Sequence, residues 1–207
     1  KKSNPQAQSS MPTLDELTQQ EYGATVADDM RILQQQMQQR KPAQPMGEPV
    51  SVGGDKYMMY VQKRRKLESN GNANAKASGS SATGIDQFTS GTFLNIVKRH
   101  MPNLAAGKSD AEILALRTNP NISGQAAQAL DRENANALQA AGLPVTEATL
   151  YAAHHFGPSR AVAFGRASMD TPMSSILTAD QMQANPYLNG KTKAQALANW
   201  SQRAGLD

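Results

Sequence analysis

The sequence predicts an all-α fold, and three observations support that class. Apolar residues recur at the three- and four-residue steps of a helix from Asp55 onward. Ser or Thr stands where most of these segments would begin, as helix caps do. Alternation of apolar and polar residues in steps of two is nowhere sustained, so any strand is expected to be short. The 207 residues are enough for one domain with a hydrophobic core and additional segments.

The boundaries of the helices follow from capping residues, glycines and prolines. A first helix that begins near Asp55 is expected to end at Glu68, because a small, polar stretch follows over residues 70–83. Ser109 is followed three residues later by Glu112, which is the spacing of a capping box. Further helices are expected to begin at or just after Ser90, Ser109, Ser123, Thr146, Arg160, Thr178 and Thr192.

The N-terminal part differs in composition from the rest, which divides the chain into residues 1–54 and 55–207. It is rich in glutamine and proline, and its apolar residues recur at three- to five-residue steps between Leu14 and Met37. This pattern predicts an extended segment with one or two weakly amphipathic helices. Residues 40–54 are interpreted as a linker, because prolines and glycines replace the periodicity there. A disordered tail and a helix that docks on a partner are both open for this segment.

Composition limits the kinds of function. Lys and Arg exceed Asp and Glu by 21 − 17 = 4, a mild basic excess that suits an anionic partner. No long basic stripe with interleaved aromatics is present, so nucleic acid is not expected to be that partner. Cysteine is absent, which excludes a disulfide framework and a thiolate metal site, and no cofactor is expected. No apolar run approaches the roughly twenty residues that a membrane span needs.

The first residues carry no sign of an export signal. Residues 1–6 begin with two lysines but have no apolar stretch behind them, so they do not form a secretory signal peptide. The first residue is not Met, which indicates a processed or trimmed chain. A mature exported protein, a proteolysed virion protein and an expressed fragment all fit this start.

Glu68 is the candidate catalytic acid. Cleavage of a glycosidic bond needs a carboxylic acid that stays neutral near pH 7 and protonates the leaving oxygen. Glu68 ends an apolar-faced helix just before a polar loop, where burial in a cleft would raise its pKa. The basic residues 63–66 are expected to lie mostly on the opposite, solvated face. By itself a Glu after a basic run is more often a solvated ion-pair partner, so the case depends on the residues that follow.

Three short motifs resemble those of a family of peptidoglycan-cleaving enzymes, the soluble lytic transglycosylases and their goose-type lysozyme relatives. Residues 68–69, Glu-Ser, are similar to the family's first motif. Residues 84–92 match its Gly-x-x-Gln-aromatic-x-x-x-Thr motif. Residues 150–154, Leu-Tyr-Ala-Ala-His, resemble the third motif as one branch of the family has it, and the later Ala-Asn-Pro at residues 184–186 also fits that branch. The resemblance covers about residues 55–203.

The resemblance implies a lysozyme-like helical domain that acts on peptidoglycan glycan strands as a lytic transglycosylase. Glu68 would protonate the oxygen between N-acetylmuramic acid and N-acetylglucosamine. It would then take the proton of the muramoyl C6 hydroxyl, so that a 1,6-anhydro ring closes. One carboxylate would serve both steps. The residues that the resemblance places at the substrate are Ser69, Gln87, Phe88, Tyr151, His154 and His155.

These residues have different expected roles. Ser69 would hold the muramoyl ring or the acid by a hydrogen bond, and Gln87 would line the saccharide cleft, because its amide both donates and accepts. Phe88 is the aromatic residue expected to stack on a sugar. His154 or Tyr151 would orient Glu68 or a bound sugar.

Two positions depart from the family pattern. His155 stands where the family usually has Asn, so the contacts of that amide are not carried over. Asp86 stands where an apolar or aromatic residue is usual, and a helix cap is the favoured interpretation. If Asp86 faced the cleft instead, it would be a candidate second carboxylate for a hydrolytic lysozyme. His154 and His155 are adjacent and diverge on a helix, so a metal site is not expected.

Three classes of function follow. The first is the lytic transglycosylase, the second is a hydrolytic muramidase, and the third is a catalytically inactive virion structural protein with the same fold. In each of them residues 1–54 are expected to dock on other virion or envelope proteins. The lack of a signal peptide favours a tail-associated protein of a phage virion that opens the bacterial periplasmic cell wall during infection. An exported periplasmic bacterial enzyme is the alternative.

Overall fold

The computed structural model describes residues 48–206, and this part of the chain is helical, as predicted. The amphipathic helices expected between Leu14 and Met37 lie outside the described residues. The ten α-helices of residues 48–206, numbered in chain order, are α1 (Asp55–Ser69), α2 (Ser90–His100), α3 (Pro102–Ala105), α4 (Asp110–Ala115), α5 (Pro120–Ala140), α6 (Glu147–Phe156), α7 (Pro158–Arg166), α8 (Met173–Ile176), α9 (Ala179–Ala184) and α10 (Lys193–Ala204). Two short 3-10 helices, Leu116–Thr118 and Pro186–Leu188, complete the set.

Local capping explains where several helices begin. Four helices, α4, α6, α9 and α10, start with a capping box, in which the cap and the third helical residue exchange hydrogen bonds. The caps are Ser109, Thr146, Thr178 and Thr192, as the sequence predicted. The expected cap at Ser123 is wrong, because α5 begins earlier, at Pro120, and Asn119 caps it. Ser123 instead lies inside α5 with its side chain buried.

β-structure in residues 48–206 is limited to isolated antiparallel bridges. Thr83 pairs with both Lys76 and Phe88, and these bridges fold the chain between α1 and α2 into a turn over residues 84–87. This segment, called the hairpin turn below, carries Asp86 and Gln87. No helix of the described range is long and apolar enough to cross a membrane.

The helices pack around two hydrophobic clusters. The larger cluster is centred on Trp200 of α10, which packs against Tyr151 and Phe156 of α6 and Phe164 of α7. The smaller cluster joins α2, α4 and α5, and it includes Phe88, Phe93, Ile96, Val97 and Ile113. Burial of these side chains is the main favourable contribution to folding.

Val50 belongs to the packed domain, although residues 40–54 were interpreted as a linker. Its side chain is 5% exposed and lies in the larger cluster. Its backbone N–H donates to the carbonyl oxygen of Val145 at 2.7 Å, and Pro49 forms a bridge with Thr146. The domain therefore begins before residue 55, because residues 49–50 add a short extended segment beside the start of α6.

Candidate functional site

A groove of about 1160 Å³ lies at the carboxyl end of α1. Its walls come from the end of α1, the loop that contains the hairpin turn, the end of α6, and parts of α9 and α10. The lining includes six of the seven residues that the sequence singled out: Glu68, Ser69, Gln87, Phe88, His154 and His155. The three motifs, at residues 68–69, 84–92 and 150–154, thus meet at one groove.

Glu68 lies at the last turn of α1, and its side chain is only 10% exposed. The Nδ1 atom of His155 lies 3.2 Å from Glu68 Oε1. The hydroxyl of Tyr151, which is also in α6, interacts with the same carboxylate and lowers its pKa. Glu68 is therefore a nearly buried carboxylate at the groove, held from one side by two residues of α6.

The pKa of Glu68 is lowered, so the expectation of a raised value is wrong. Burial alone would raise the pKa, but His155, His154 and the hydroxyl of Tyr151 together lower it to about 2. The expectation considered the burial but not a cationic partner. Glu68 is consequently ionised at neutral pH when His155 is protonated.

His155 is the partner of Glu68. Burial lowers the pKa of His155, but the charge of Glu68 and hydrogen bonds to Glu68 and Asn185 raise it above the usual value for histidine. Its side chain is 23% exposed, and its ring stacks on Tyr151 at 5.4 Å between centroids. His155 therefore lines the groove and also contacts the candidate acid.

His154 is adjacent but has the opposite electrostatic character. Its Nε2 atom donates to the backbone oxygen of Asp86 at 3.2 Å, and its ring meets Phe88 edge to face. Burial, with the charge of Arg64, lowers the pKa of His154, so the imidazole is neutral at neutral pH. Its Nδ1 atom is 4.0 Å from Asp131 Oδ1, which is too long for a hydrogen bond. His154 thus fastens α6 to the hairpin turn.

Asp86 is neither a helix cap nor a groove residue, so both interpretations of it are wrong. It lies in the hairpin turn, is fully buried, and is absent from the groove lining. Arg64 and Arg65 donate to its carboxylate at 2.8–2.9 Å, and the hydroxyl of Ser123 donates at 2.9 Å. Burial raises its pKa, but the two guanidinium groups outweigh this and lower the pKa to about 2. Asp86 is an ionised structural residue.

The basic run of α1 is not a solvated face, contrary to expectation. Arg64 is fully buried and bonds Asp131 of α5 as well as Asp86. Two arginines and two aspartates therefore form a cluster of balanced charge, called the Arg–Asp cluster below, that is buried except for part of Arg65 and joins α1, α5 and the hairpin turn. Because Arg64 and Arg65 lie four and three residues before Glu68 on α1, this cluster fixes the helical register that presents Glu68 to the groove.

Gln87 and Ser69 line the groove, but part of their hydrogen-bonding capacity is used within the protein. The Gln87 amide nitrogen donates to the backbone oxygens of Gly84 and Ala75, at 2.8 and 3.3 Å. These bonds leave its carbonyl oxygen as the acceptor for a ligand. The hydroxyl of Ser69 donates to the backbone oxygen of Ile85 at 2.8 Å, which ties the end of α1 to the hairpin turn.

Phe88 and Tyr151 are both buried, so neither presents an open ring face to the groove. Phe88 is 2% exposed and packs on Phe93 with ring centroids 5.3 Å apart, so its faces are not open for stacking on a sugar. Tyr151 is buried between His155 and Trp200 and is not part of the groove lining. Apolar spacing alone does not distinguish an aromatic residue of the core from one at a groove. Of the two roles considered for Tyr151, orienting Glu68 is the one that its contacts support.

The groove also contains charged and polar residues that the sequence did not identify as functional. Lys66, Lys76 and Arg203 line it as cations, and Asp180 in the first turn of α9 lines it as an exposed anion. Asn185 is the further residue that matters most, because it bonds His155 at 2.8 Å. Its only sequence signal was its place in the Ala-Asn-Pro of residues 184–186, which gave no indication of that contact.

Comparison with known proteins adds no assignment. No protein-family model matches this chain, and no curated protein matches it either. The described residues also contain no group of three or more His, Asp or Glu side chains that could hold a metal ion. The motifs and the geometry of the groove are therefore the features that indicate a function.

Proposed function

We propose that this chain is a peptidoglycan lytic transglycosylase that cleaves the bond between N-acetylmuramic acid and N-acetylglucosamine, with Glu68 as acid and base. One observation carries the proposal. Glu68, Gln87 and His154, from three separate motifs, line the same groove. A nearly buried carboxyl group at a groove is a group that can protonate a glycosidic oxygen, and the Gln87 amide in the same groove can bind sugar groups.

The size and charge of the groove suit a polymeric, partly anionic substrate. Its volume of about 1160 Å³ exceeds the roughly 300–1,000 Å³ of ordinary small-molecule sites. Three cations, Lys66, Lys76 and Arg203, line it, against the anions Glu68 and Asp180. Because His155 neutralises Glu68, the cations are in excess, and they suit the carboxylates of the stem peptides.

A single-carboxylate mechanism is favoured over hydrolysis because Asp86 is not available. Its two carboxylate oxygens are occupied by Arg64, Arg65 and Ser123. A hydrolase that uses two carboxylates would need another acid at the groove. Asp180 is the other acid in the groove lining, so a muramidase with Asp180 as second carboxylate is the alternative.

In the proposed reaction Glu68 acts twice. The Glu68 carboxyl delivers a proton to the glycosidic oxygen as the C1–oxygen bond breaks. The resulting carboxylate then takes the proton of the muramoyl C6 hydroxyl, while the C6 oxygen bonds to C1. The ionised resting state of Glu68, whose pKa is about 2, suits the second step directly. The first step needs a proton, and His155 is the neighbour that can carry one.

We extend the proposal to the setting in which the enzyme acts. It is a tail-associated component of a phage virion that opens the bacterial cell wall locally, and residues 1–54 dock it on other virion proteins. An exported periplasmic enzyme of a bacterium is the rival. The same fold without activity is the non-enzymatic rival, and it predicts no glycan products.

Digestion of purified peptidoglycan, with mass spectrometry of the released muropeptides, tests the reaction. A lytic transglycosylase gives anhydro ends that are lighter by one water, whereas a muramidase gives reducing ends. Asp180→Asn is the matched variant. We expect it to keep cleavage within about tenfold of the parent protein, because a one-carboxylate mechanism does not need it. Reducing ends in the parent digest, lost in Asp180→Asn, would favour the muramidase, and no products would favour the inactive fold.

A further inference from the structure

The His155 ring is held between two polar partners. Its Nε2 atom lies 2.8 Å from Asn185 Oδ1, and its Nδ1 atom lies 3.2 Å from Glu68 Oε1. Stacking on Tyr151, with 16° between the ring planes, and edge contact with Phe156 restrict its rotation. Each ring nitrogen therefore has one fixed neighbour.

Asn185 determines which ring nitrogen of His155 always carries a hydrogen. The Asn185 amide nitrogen donates to the backbone oxygen of Gln181 at 2.9 Å. The reverse orientation of the amide would set two oxygens against each other, so Asn185 Oδ1 must face His155. Because that oxygen only accepts, His155 Nε2 carries a hydrogen in every protonation state. A second ring proton can then sit only on Nδ1, opposite Glu68.

We infer, on the basis of the proposed function, that Glu68 and His155 share one proton and that His155 Nδ1 stores it between catalytic cycles. The proton leaves Nδ1 for the Glu68 carboxylate, which gives a neutral imidazole and a neutral carboxyl. The carboxyl delivers it to the glycosidic oxygen as the C1–oxygen bond breaks. Glu68 then takes the C6 hydroxyl proton, which returns to Nδ1. One proton enters and one leaves in each cycle, so the pair ends as it began.

The other ionisable groups near the pair do not replace His155 in this role. His154 is neutral at neutral pH, since burial lowers its pKa. Burial also raises the pKa values of Tyr151 and Tyr187, so both hydroxyls keep their protons at neutral pH. Arg203 of α10 is a permanent cation, which opposes protonation of His155 but does not exceed the effect of Glu68. Arg64, in the Arg–Asp cluster, lowers the pKa of His154.

The shared proton has a consequence for the pH range of activity. Without His155, Glu68 would lose its acidic proton as the pH rises through its own pKa. With His155, the pair keeps a proton up to the raised pKa of the imidazole. His155 is thus a positioning residue that acts through Glu68, and it sets the alkaline limit of cleavage.

Nitrogen-15 NMR of the imidazole rings in the full chain tests the stored proton without substrate. The chain has three histidines, so single substitutions of His100 and His154 assign the spectrum. At pH 7 we expect both nitrogens of His155 to carry hydrogen, and only Nε2 in Glu68→Gln, because the amide removes the anion. A His155 that lacks the Nδ1 proton at pH 7 in the parent protein overturns the inference. Since no substrate is used, this result is independent of whether the chain cleaves glycan.

The pH profile of kcat/KM gives a second readout that a merely structural role would not move. In His155→Asn we expect the alkaline limb to move to lower pH, because only a carboxyl then holds the proton. Asn185→Ala keeps the pair but removes one hydrogen bond that raises the pKa of His155, so a smaller shift in the same direction is expected. If the alkaline limbs of both folded variants lie at the same pH as that of the parent protein, the stored proton is contradicted.

Discussion

Gly84 is the residue on which the conformation of the hairpin turn depends. Its φ is +89°, which glycine adopts more readily than other residues. A Cβ at this position would lie 2.1 Å from the backbone oxygen of Arg117, so the turn is packed directly against the 3-10 helix that follows α4. The close approach lets the turn bring Asp86 into the core and Gln87 to the groove.

Gly84→Ala should therefore destabilise the domain more than a positive φ alone would. We expect a loss of about 1–2 kcal/mol from the backbone conformation and a further 1–3 kcal/mol from the overlap with Arg117. Gly71→Ala is the matched control, because Gly71 also has a positive φ, +78°, but has nothing within 4 Å of the added Cβ. Urea unfolding of both variants measures the difference. Equal losses would show that the contact with Arg117 is not tight.

The pKa values of two adjacent histidines on one turn of α6 are shifted in opposite directions. His154 meets a backbone oxygen and apolar rings, and its pKa is lowered mainly by burial. His155 meets a carboxylate, and its pKa is raised. A sequence of two histidines cannot indicate this difference, because it depends on what faces each ring in the folded chain.

At the scale of elements, the Arg–Asp cluster determines how α1 is placed against α5. Arg64 bonds both Asp86 and Asp131, and the hydroxyl of Tyr57 adds a bond to Asp131 at 3.0 Å. The four charges compensate each other inside the protein, where an unpaired charge is costly. The apolar face of α1 alone would permit small shifts of α1 along α5. These bonds allow only one position.

Arg64→Met should be strongly destabilising, because it leaves the buried Asp131 without its main cationic partner. The expected loss in the free energy of unfolding is about 3–5 kcal/mol, the usual cost of breaking a buried ion pair. Lys98→Met is the matched control, since the pair of Lys98 with Asp110 is about half exposed on both sides and should contribute little. Denaturant unfolding monitored by circular dichroism compares them. A loss below about 1 kcal/mol for Arg64→Met would contradict the role of the cluster.

Several elements were predictable because their signals are local. The capping boxes at Ser109 and Thr146 join residues three apart, so they can be recognised in the sequence itself. The environment of Asp86 was not predictable, because its partners Arg64 and Ser123 are 22 and 37 residues away and meet it only through the packing of α1 on α5. The candidate acid could be located by motif, but its pKa depended on His155 from another helix.

At the scale of the whole molecule, stability should depend on pH in acid. The folded pKa values of Glu68 and Asp86 are both about 2, against ordinary values of 4.5 and 3.8. Carboxyls with depressed pKa values contribute stability that is present above the unfolded values and is lost as the pH falls through the folded ones. Asp86 contributes about 2 kcal/mol and Glu68 about 3 kcal/mol, lost between about pH 4.5 and 2. Neutral His154 adds a loss that starts below its unfolded value of 6.5, because the unfolded chain takes up a proton there.

Urea unfolding of the parent protein at several pH values between 7 and 2 measures this dependence. The free energy of unfolding should fall steadily below about pH 4.5. Glu68→Gln should show a shallower fall over the same range, because one of the two depressed carboxyls is gone. A free energy that is constant from pH 4.5 to 2 would mean that neither carboxyl is stabilised in the folded state.

The most direct measurement of the central claim is the rate of glycan cleavage by Glu68→Gln. The amide keeps the size of the side chain and some of its hydrogen bonds but cannot deliver a proton, so release of muropeptides should fall by at least about a hundredfold. Glu133→Gln is the matched control, because Glu133 pairs with Arg99 and His100 at the surface and does not line the groove. It should cleave at the parent rate. A folded Glu68→Gln that cleaves peptidoglycan as fast as the parent protein would show that Glu68 is not the acid.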